Sequence, residues 1–189
     1  SYIKNYFYEK KNIRICVARA GNVIGGGDWS QDRLVPDCVK SWSKGKKVKI
    51  RNPNSTRPWQ HVFEALAGYL LLARNLRSDK KLNGEIFNFG PNSLTNFSVI
   101  KLIKTMKKYW PNVTWSKQLT NKRAFYESKL LKLNSNKAKI KLGWKCVLTF
   151  KETSKLVAEW YRDYYQKKSI IQKSMSDIFF YEKILKKRL

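Results

Sequence analysis

Residues 19–28 read Arg-Ala-Gly-Asn-Val-Ile-Gly-Gly-Gly-Asp. They follow a short apolar run, Ile13 to Ala18, that reads as a buried strand. An arginine, an asparagine and four glycines are thereby placed at the end of a strand. In open α/β sheets that end is where ligands sit. Glycine lets the backbone come close to a bulky anion and adopt positive φ. The stretch is not a GxGxxG fingerprint, because its glycines are contiguous and no helix follows directly. On its own it reads first as a flexible connecting loop.

Working outward, Pro36 opens a predicted helix to about Lys44, closed by Gly45. Lys47 to Ile50 alternates basic and apolar residues, which predicts a short half-buried strand. Val62 to Asn75 reads as a buried apolar helix with Leu66, Leu70 and Ala73 on one face, and Glu85 to Phe89 as a second buried strand. Beyond Pro91 the character changes. Asn96 or Ser98 caps a helix to Tyr109 with the stripe Val99, Leu102, Ile103 and Met106. Val113 to Trp115 is a candidate strand, and Asn134 caps a small helix, Ser135 to Leu142. Thr149 caps a long helix to about Gln166, with Leu156, Trp160 and Tyr164 on one side. A last helix runs roughly from Ser176 to Lys187. The order predicts an α/β chain: the last part of a parallel sheet, then a small mixed lobe.

The formal net charge is +27 over 189 residues. Such a charge suits nucleic acid or an anionic surface. The lysines, however, run along the whole chain and do not gather on one segment, which favours an ordinary solvated surface. Cys16, Cys38 and Cys146 are odd in number, far apart and form no CxxC pair, so free cysteines in a reducing compartment are expected. The longest apolar run, Ala65 to Ala73, is too short to span a bilayer. No signal peptide is visible, so the expected location is cytoplasmic. Tyr2, Ile3, Tyr6 and Phe7 lie at helical spacing and read as the tail of a helix, which leads us to expect the second half of a longer chain.

Two further clusters carry candidate chemistry. Residues 51–62, Arg-Asn-Pro-Asn-Ser-Thr-Arg-Pro-Trp-Gln-His-Val, are polar, stiffened by two prolines, and lead straight into the apolar helix. Arg57 suits bidentate contact with a phosphate, or a structural ion pair. His61, the single histidine, reads as a hydrogen-bonded, partly buried residue more than as a catalyst. The other cluster is Tyr126-Glu127-Ser128, followed by Leu131-Lys132-Leu133-Asn134.

RAGNVIGGGDW (19–29), DRLVPD (32–37), the 51–73 segment, NFGP (88–91), LKLNSNKAKIKLGW (131–144) and WYRDYY (160–165) occur in this order. Together they resemble the nucleotide-sugar 4,6-dehydratases of the extended short-chain dehydrogenase/reductases, most of all those acting on CDP-glucose. The resemblance implies a Rossmann-like NAD-binding sheet with a small substrate-binding lobe. Residues 1–91 would end the first, interleaved with substrate-binding segments at about 34–60. Residues 92–189 would form most of the second. It implies NAD as cofactor, met by Ala20, Gly21 and Asn22, and a nucleotide-diphosphate sugar as substrate. Asn22 and Arg57 would meet the pyrophosphate, Arg33 and Leu34 the nucleotide, Lys49 and Arg51 the base and ribose, and Tyr126 and Glu127 the sugar region. No catalytic residue is expected within the chain, because the family's Tyr-x-x-x-Lys pair falls upstream of Ser1.

The implied activity is that of a lyase of deoxysugar and O-antigen synthesis: hydride leaves C4, water is lost across C5 and C6, and hydride returns to C6. The segment alone is expected to be inactive and to expose an apolar sheet edge. Its implied partners are the missing amino-terminal half and further copies in a homo-oligomer, with no membrane. The alternatives are an epimerase, a dehydratase of another nucleotide, or a non-enzymatic basic module binding nucleic acid.

Overall fold

The computed structural model describes residues 5–7, 12–91, 96–111, 113–117 and 133–188. In chain order the elements are β1 (Val17–Ala20), β2 (Val23–Ile24), α1 (Leu34–Trp42), β3 (Val48–Ile50), β4 (Thr56–Arg57), β5 (Gln60–His61) and α2 (Val62–Ser78). They continue as β6 (Ile86–Phe89), β7 (Phe97–Ser98), α3 (Val99–Met106), β8 (Trp115–Lys117), α4 (Asn136–Leu142), α5 (Phe150–Tyr165) and α6 (Ile170–Arg188).

The expected α/β class with parallel pairing is what the structure has. β1 runs parallel to β6, with Ala18 opposite Phe87 and Ala20 opposite Phe89. β2 pairs in parallel with β5 and β3 with β8, while β4 and β7 are antiparallel. Side chains alternate across a strand, so Ala18, Ala20, Phe87 and Phe89 share a face. That face packs with Leu72, Ala138, Leu142 and Trp144 of α2, α4 and the turn after it. Gly68 makes the approach of α2 possible, since a Cβ there would lie 2.4 Å from the Phe89 ring. The opposite face carries Val17 and Ile86, which are 38% and 44% exposed. A larger core joins Val39 and Trp42 of α1 and Ile50 of β3 to Leu102 and Ile103 of α3 and Val157 and Tyr161 of α5. α1, β3, α3 and α5 therefore share one apolar interior.

Several elements depart from the sequence reading. The first strand begins at Val17 rather than Ile13 and ends at Ala20, so Arg19 lies inside it, and Cys16 lies outside it, half-buried. Its Sγ donates to the Leu82 carbonyl at 2.8 Å. The long loop after Gly21 contains β2, which the two-residue length hid from periodicity. α1 starts at Leu34, two residues before Pro36, which a first turn tolerates because its amides lack intrahelical partners. α6 starts at Ile170, not Ser176, and α4 is preceded by Ser135 as its flanking residue. Asn134 nevertheless accepts from the Asn136 amide at 2.8 Å. The face Leu66–Leu70–Ala73 of α2 is turned to solvent, and Glu64, Ala65, Gly68 and Leu72 are buried instead. Their positions still follow helical spacing, rotated away from the largest residues.

Other local features are as expected. Ser98 caps α3 by accepting from the Lys101 amide, and Val99, Leu102, Ile103 and Met106 are all buried. Thr149 and Glu152 form a reciprocal capping box at α5, an arrangement worth about 1 kcal/mol. All three cysteines are free thiols. Among the described residues no helix is long and apolar enough to cross a membrane.

The glycine run has a different role from that first assigned to it. A Cβ at Gly25 would lie 2.6 Å from Val62 Cγ1, and one at Gly26 would lie 2.1 Å from the Trp160 indole. Protein side chains, not a ligand, occupy the space these two glycines leave. The Tyr161 hydroxyl then accepts from the Asp28 amide at 3.0 Å and donates to the Asp28 carbonyl at 2.8 Å. Trp29 completes the contact by packing edge-on against Tyr161 and Tyr165 and tilted against Tyr164. Gly26→Ala should consequently destabilise the fold by about 1–3 kcal/mol, the usual cost of overpacking. Urea unfolding measures it, and a loss below about 0.5 kcal/mol would show that α5 can withdraw freely.

Candidate functional site at the carboxyl ends of β1 and β6

The regular ladder between β1 and β6 ends at Ala20 and Phe89. Gly21 and Asn22 continue from one strand, and Gly90 and Pro91 from the other. Asn22 adopts φ 47°, a left-handed conformation that asparagine tolerates better than most residues. Its Oδ1 is buried without a hydrogen-bond partner among the described residues. Leu133 lies across both strand ends: a Cβ on Gly21 would be 3.5 Å from its side chain, and one on Gly90 would be 2.8 Å away. The Ser135 hydroxyl donates to the Gly90 carbonyl at 3.0 Å, and the Asn88 amide donates to the Asn134 carbonyl at 3.2 Å. The segment from Leu133 to Ser135 is thus fastened over the strand ends.

The 57–61 segment forms the next wall. Arg57 is buried, in β4, and its Nη1 donates to the Thr56 carbonyl at 2.9 Å. Pro58 lies about 4.0 Å from where a Gly21 Cβ would be. Trp59 anchors the turn by donating from its indole to the Phe97 carbonyl at 2.9 Å. Gln60 is wholly buried and bonds to the Gly21 and Phe89 carbonyls. His61 is the cap of α2 and accepts from the Phe63 amide through Nδ1. Burial, and secondarily the charge of Lys173, pull its pKa down to about 3. A neutral imidazole committed to a cap agrees with the structural role read from the sequence.

Behind this wall, Glu64 is a buried carboxylate in an otherwise apolar turn of α2. It accepts from the amides of Val147 and Leu148 at 2.9 and 2.6 Å, and from the Tyr181 hydroxyl at 3.1 Å. Burial raises its pKa, opposed by these same bonds. The acid fastens the start of α2 to both α6 and the approach to α5.

Arg33, Leu34, Lys49 and Arg51 belong to the α1 and β3 layer. Arg33 is exposed and pairs loosely with Asp28 at 3.8 Å, a contact worth little by itself. Leu34 is half-buried at the start of α1, and Lys49 points out of β3 between buried Val48 and Ile50. Arg51 is exposed and close enough to Asp37, in the first turn of α1, to oppose the upward shift that burial and Asp32 impose on that carboxyl. Ala20, Gly21 and Asn22 thus stand together at the strand end, Arg57 directly precedes the Pro58 that reaches Gly21, and Arg33 and Arg51 stand at the entry of α1. Tyr126 and Glu127 lie outside the described residues.

Three contributors were missed by sequence reasoning. Gln60 is an amide between Trp59 and His61 in a run otherwise heading into the core, which was a readable signal. Glu64 is the lone acid in VFEALAGYLLLA, also readable. Leu133 gives no signal, because its role is to sit on two distant glycines.

Comparison with known proteins bears on the family and the fold. Residues 1–90 match the model of the NAD dependent epimerase/dehydratase family. A CDP-glucose 4,6-dehydratase of Salmonella typhimurium is 38% identical over 156 residues, covering 82% of this chain and 43% of that protein. Among solved structures, a Bacillus cereus UDP-glucuronic acid 4-epimerase in complex with UDP-glucuronic acid and NAD superposes with a TM-score of 0.70 at 19% identity. That superposition covers 87% of this chain and 48% of the epimerase. A Bacillus anthracis dTDP-glucose 4,6-dehydratase in complex with NAD gives 0.66 at 19% identity, over 88% and 49% of the two chains. These structural likenesses establish the fold. The chain spans about half the length of the relatives it matches.

The neutral His61 has a measurable signature. Below pH 6.5 the unfolded chain takes up a proton that the folded chain refuses, so stability falls as pH falls. From pH 7 to pH 5 this contribution should remove about 2 kcal/mol. His61→Asn, a cap that does not titrate, should flatten that part of the slope. Equal slopes in the two proteins would show that the buried imidazole charges in place. Residues 1–90 match the NAD dependent epimerase/dehydratase family model, and the chain as a whole shares the fold of the solved epimerase and dehydratase structures named above.

Proposed function

We propose that this chain is the nucleotide-sugar-binding portion of an NAD-dependent CDP-glucose 4,6-dehydratase. The observation that carries the reading is left-handed Asn22, its Oδ1 buried and unpartnered among the described residues beside Gly21 at the strand end, in a chain 38% identical to such an enzyme over 156 residues. In this reading residues 34–60 serve the substrate from within the sheet domain, and most of residues 92–189 form its lobe.

The strand end fits the nicotinamide side of NAD. The buried, unpartnered Oδ1 of Asn22 is an acceptor awaiting a donor, as a carboxamide or ribose hydroxyl supplies, and Gly21 offers main chain without a Cβ. NAD, when bound, supplies a reversible hydride acceptor. Ala20, Gly21 and Asn22 would hold it. Arg57, planar and largely desolvated, would orient a diphosphate through two parallel donors, which a lysine cannot reproduce. Burial of its stem in β4 fixes the direction of that fork and lowers the entropy lost on binding. Arg33 and Arg51, both exposed, would draw the anionic nucleotide towards the site. Leu34 and Lys49 would line it, and Tyr126 and Glu127 would approach the sugar. The acid–base pair that moves protons at C5 and C6 would come from residues preceding Ser1, and the enzyme would be a cytoplasmic homo-oligomer.

Calorimetry on the complete gene product tests this directly. CDP-glucose should bind in preference to UDP-glucose and to inorganic pyrophosphate, and Arg57→Lys should weaken it by about tenfold or more. Binding with a steep salt dependence and no preference among anions would instead indicate the basic nucleic-acid module.

Asn22→Gly separates binding from stability. The glycine relieves the left-handed backbone, so stability should hold or rise by up to about 1 kcal/mol. Ligand affinity should nonetheless drop, because the Asn22 oxygen is gone. Unchanged affinity would remove Asn22 from the site.

A further inference from the structure

Where the β1–β6 ladder stops, two carbonyls are left pointing between strands that no longer pair. Gln60 lies against both. Its Nε2 donates to the Gly21 carbonyl at 3.2 Å and to the Phe89 carbonyl at 2.7 Å. Both partners are acceptors, so the orientation of the amide is set: only its nitrogen can face them. The backbone amide of the same residue donates to the Asn22 carbonyl at 3.3 Å, and β5 pairs Gln60 with Val23. One residue thus holds Gly21, Asn22 and Phe89 together, and its side chain is completely buried. Its Oε1 has no partner among the described residues.

We infer that Gln60 is the positioning residue of this site: it clamps the two strand ends so that Gly21 and Asn22 present to ligand in one geometry. The inference rests on the proposed nucleotide-sugar reading for what is presented, but the clamp is defined within the chain. An apolar core residue would fill the same volume and could not join two carbonyls. A glutamate, with no N–H donors, would place charge beside them. The glutamine holds strands that differ by 69 positions, Ala20 and Phe89, just beyond their last ladder pair. Because the strap passes through the main chain of Gly21 and Asn22, its loss would misplace the Asn22 side chain without removing it.

The test compares Gln60→Met and Gln60→Leu with the unsubstituted protein by two readouts. The first is amide hydrogen exchange in this 189-residue chain. Exchange at residues 20–22 and 88–90 should accelerate by about tenfold or more, while the amides of α3 keep their protection. The second is calorimetry with CDP-glucose on the complete gene product, in which affinity should fall by about tenfold or more. Locally unchanged exchange in either folded variant overturns the clamp. Accelerated exchange with unchanged CDP-glucose affinity overturns its positioning role and leaves the proposed function standing. Loss of protection throughout α3 in both variants would make Gln60 a core residue and also overturn it. If the unsubstituted gene product does not bind CDP-glucose, the proposed function fails, and the exchange experiment still decides whether the clamp exists.

Discussion

The seating of the glycine-rich loop on Trp160 and Tyr161 is the constraint on which the remaining structure depends. Gly26 admits the indole at a distance no side chain at that position would allow, and Tyr161 then grips Asp28 through both of its backbone polar groups. These contacts join the segment that leaves β1 to a helix more than 130 residues further along. They also set where α1 begins, because Asp28 and Trp29 lead into Arg33 and Leu34. Without them the large core that unites α1, β3, α3 and α5 would lose one of its sides. Packing at Gly25 and Gly26, and the left-handed backbone of Gly27 (φ 79°), explain why three glycines stand together.

The consequence for the site is a division of labour along one loop. Gly21 and Asn22 remain at the strand end, held by Gln60 and roofed by Leu133. Gly25 to Asp28 belong to the scaffold. A rigid attachment a few residues away limits how far Asn22 can move, which is the arrangement expected of a binding group placed before its ligand arrives. Arg57 is treated in the same way: its β4 strand pairs with β7, and Trp59 is tied to Phe97 immediately after it. Glu64 and His61 extend this fixation into α2 by satisfying amides that would otherwise be buried unpaired.

Much of this was legible in the sequence, and what was not has physical causes. The α3 stripe and the Thr149 cap of α5 depend on local pattern, and Val99, Leu102, Ile103, Met106 and Thr149 display it plainly. The resemblance also pointed to Ala20, Gly21, Asn22 and Arg57 together; the first three stand at one strand end, and Arg57 directly precedes the Pro58 beside Gly21. The failures came where tertiary contact overrides pattern. β2 is two residues long and exists because Gln60 and His61 pair with it. The large leucines of α2, Leu66 and Leu70, face outward because Gly68 and Leu72 are what fits against Phe89. Ile13 and Cys16 are apolar enough for a strand but lie before the point where pairing with Ile86 begins. The glycine run looked like a cradle for an anion because sequence cannot show that Trp160 would fill it.

Glu64 carries a consequence for how the chain is made. Its carboxylate accepts from the amides of Val147 and Leu148 and from the Tyr181 hydroxyl, groups 83 to 117 residues downstream. Until those groups have left the ribosome, the acid cannot be buried without leaving its oxygens bare. The first turn of α2, with the strap and Arg57 just before it, therefore cannot reach its final packing during synthesis of the first two-thirds of the chain. At about 5–20 residues per second, the nascent site waits several seconds for its last helix. A ribosome stalled before Tyr181 would carry a chain in which Glu64 still lacks that hydroxyl and the wall is still open.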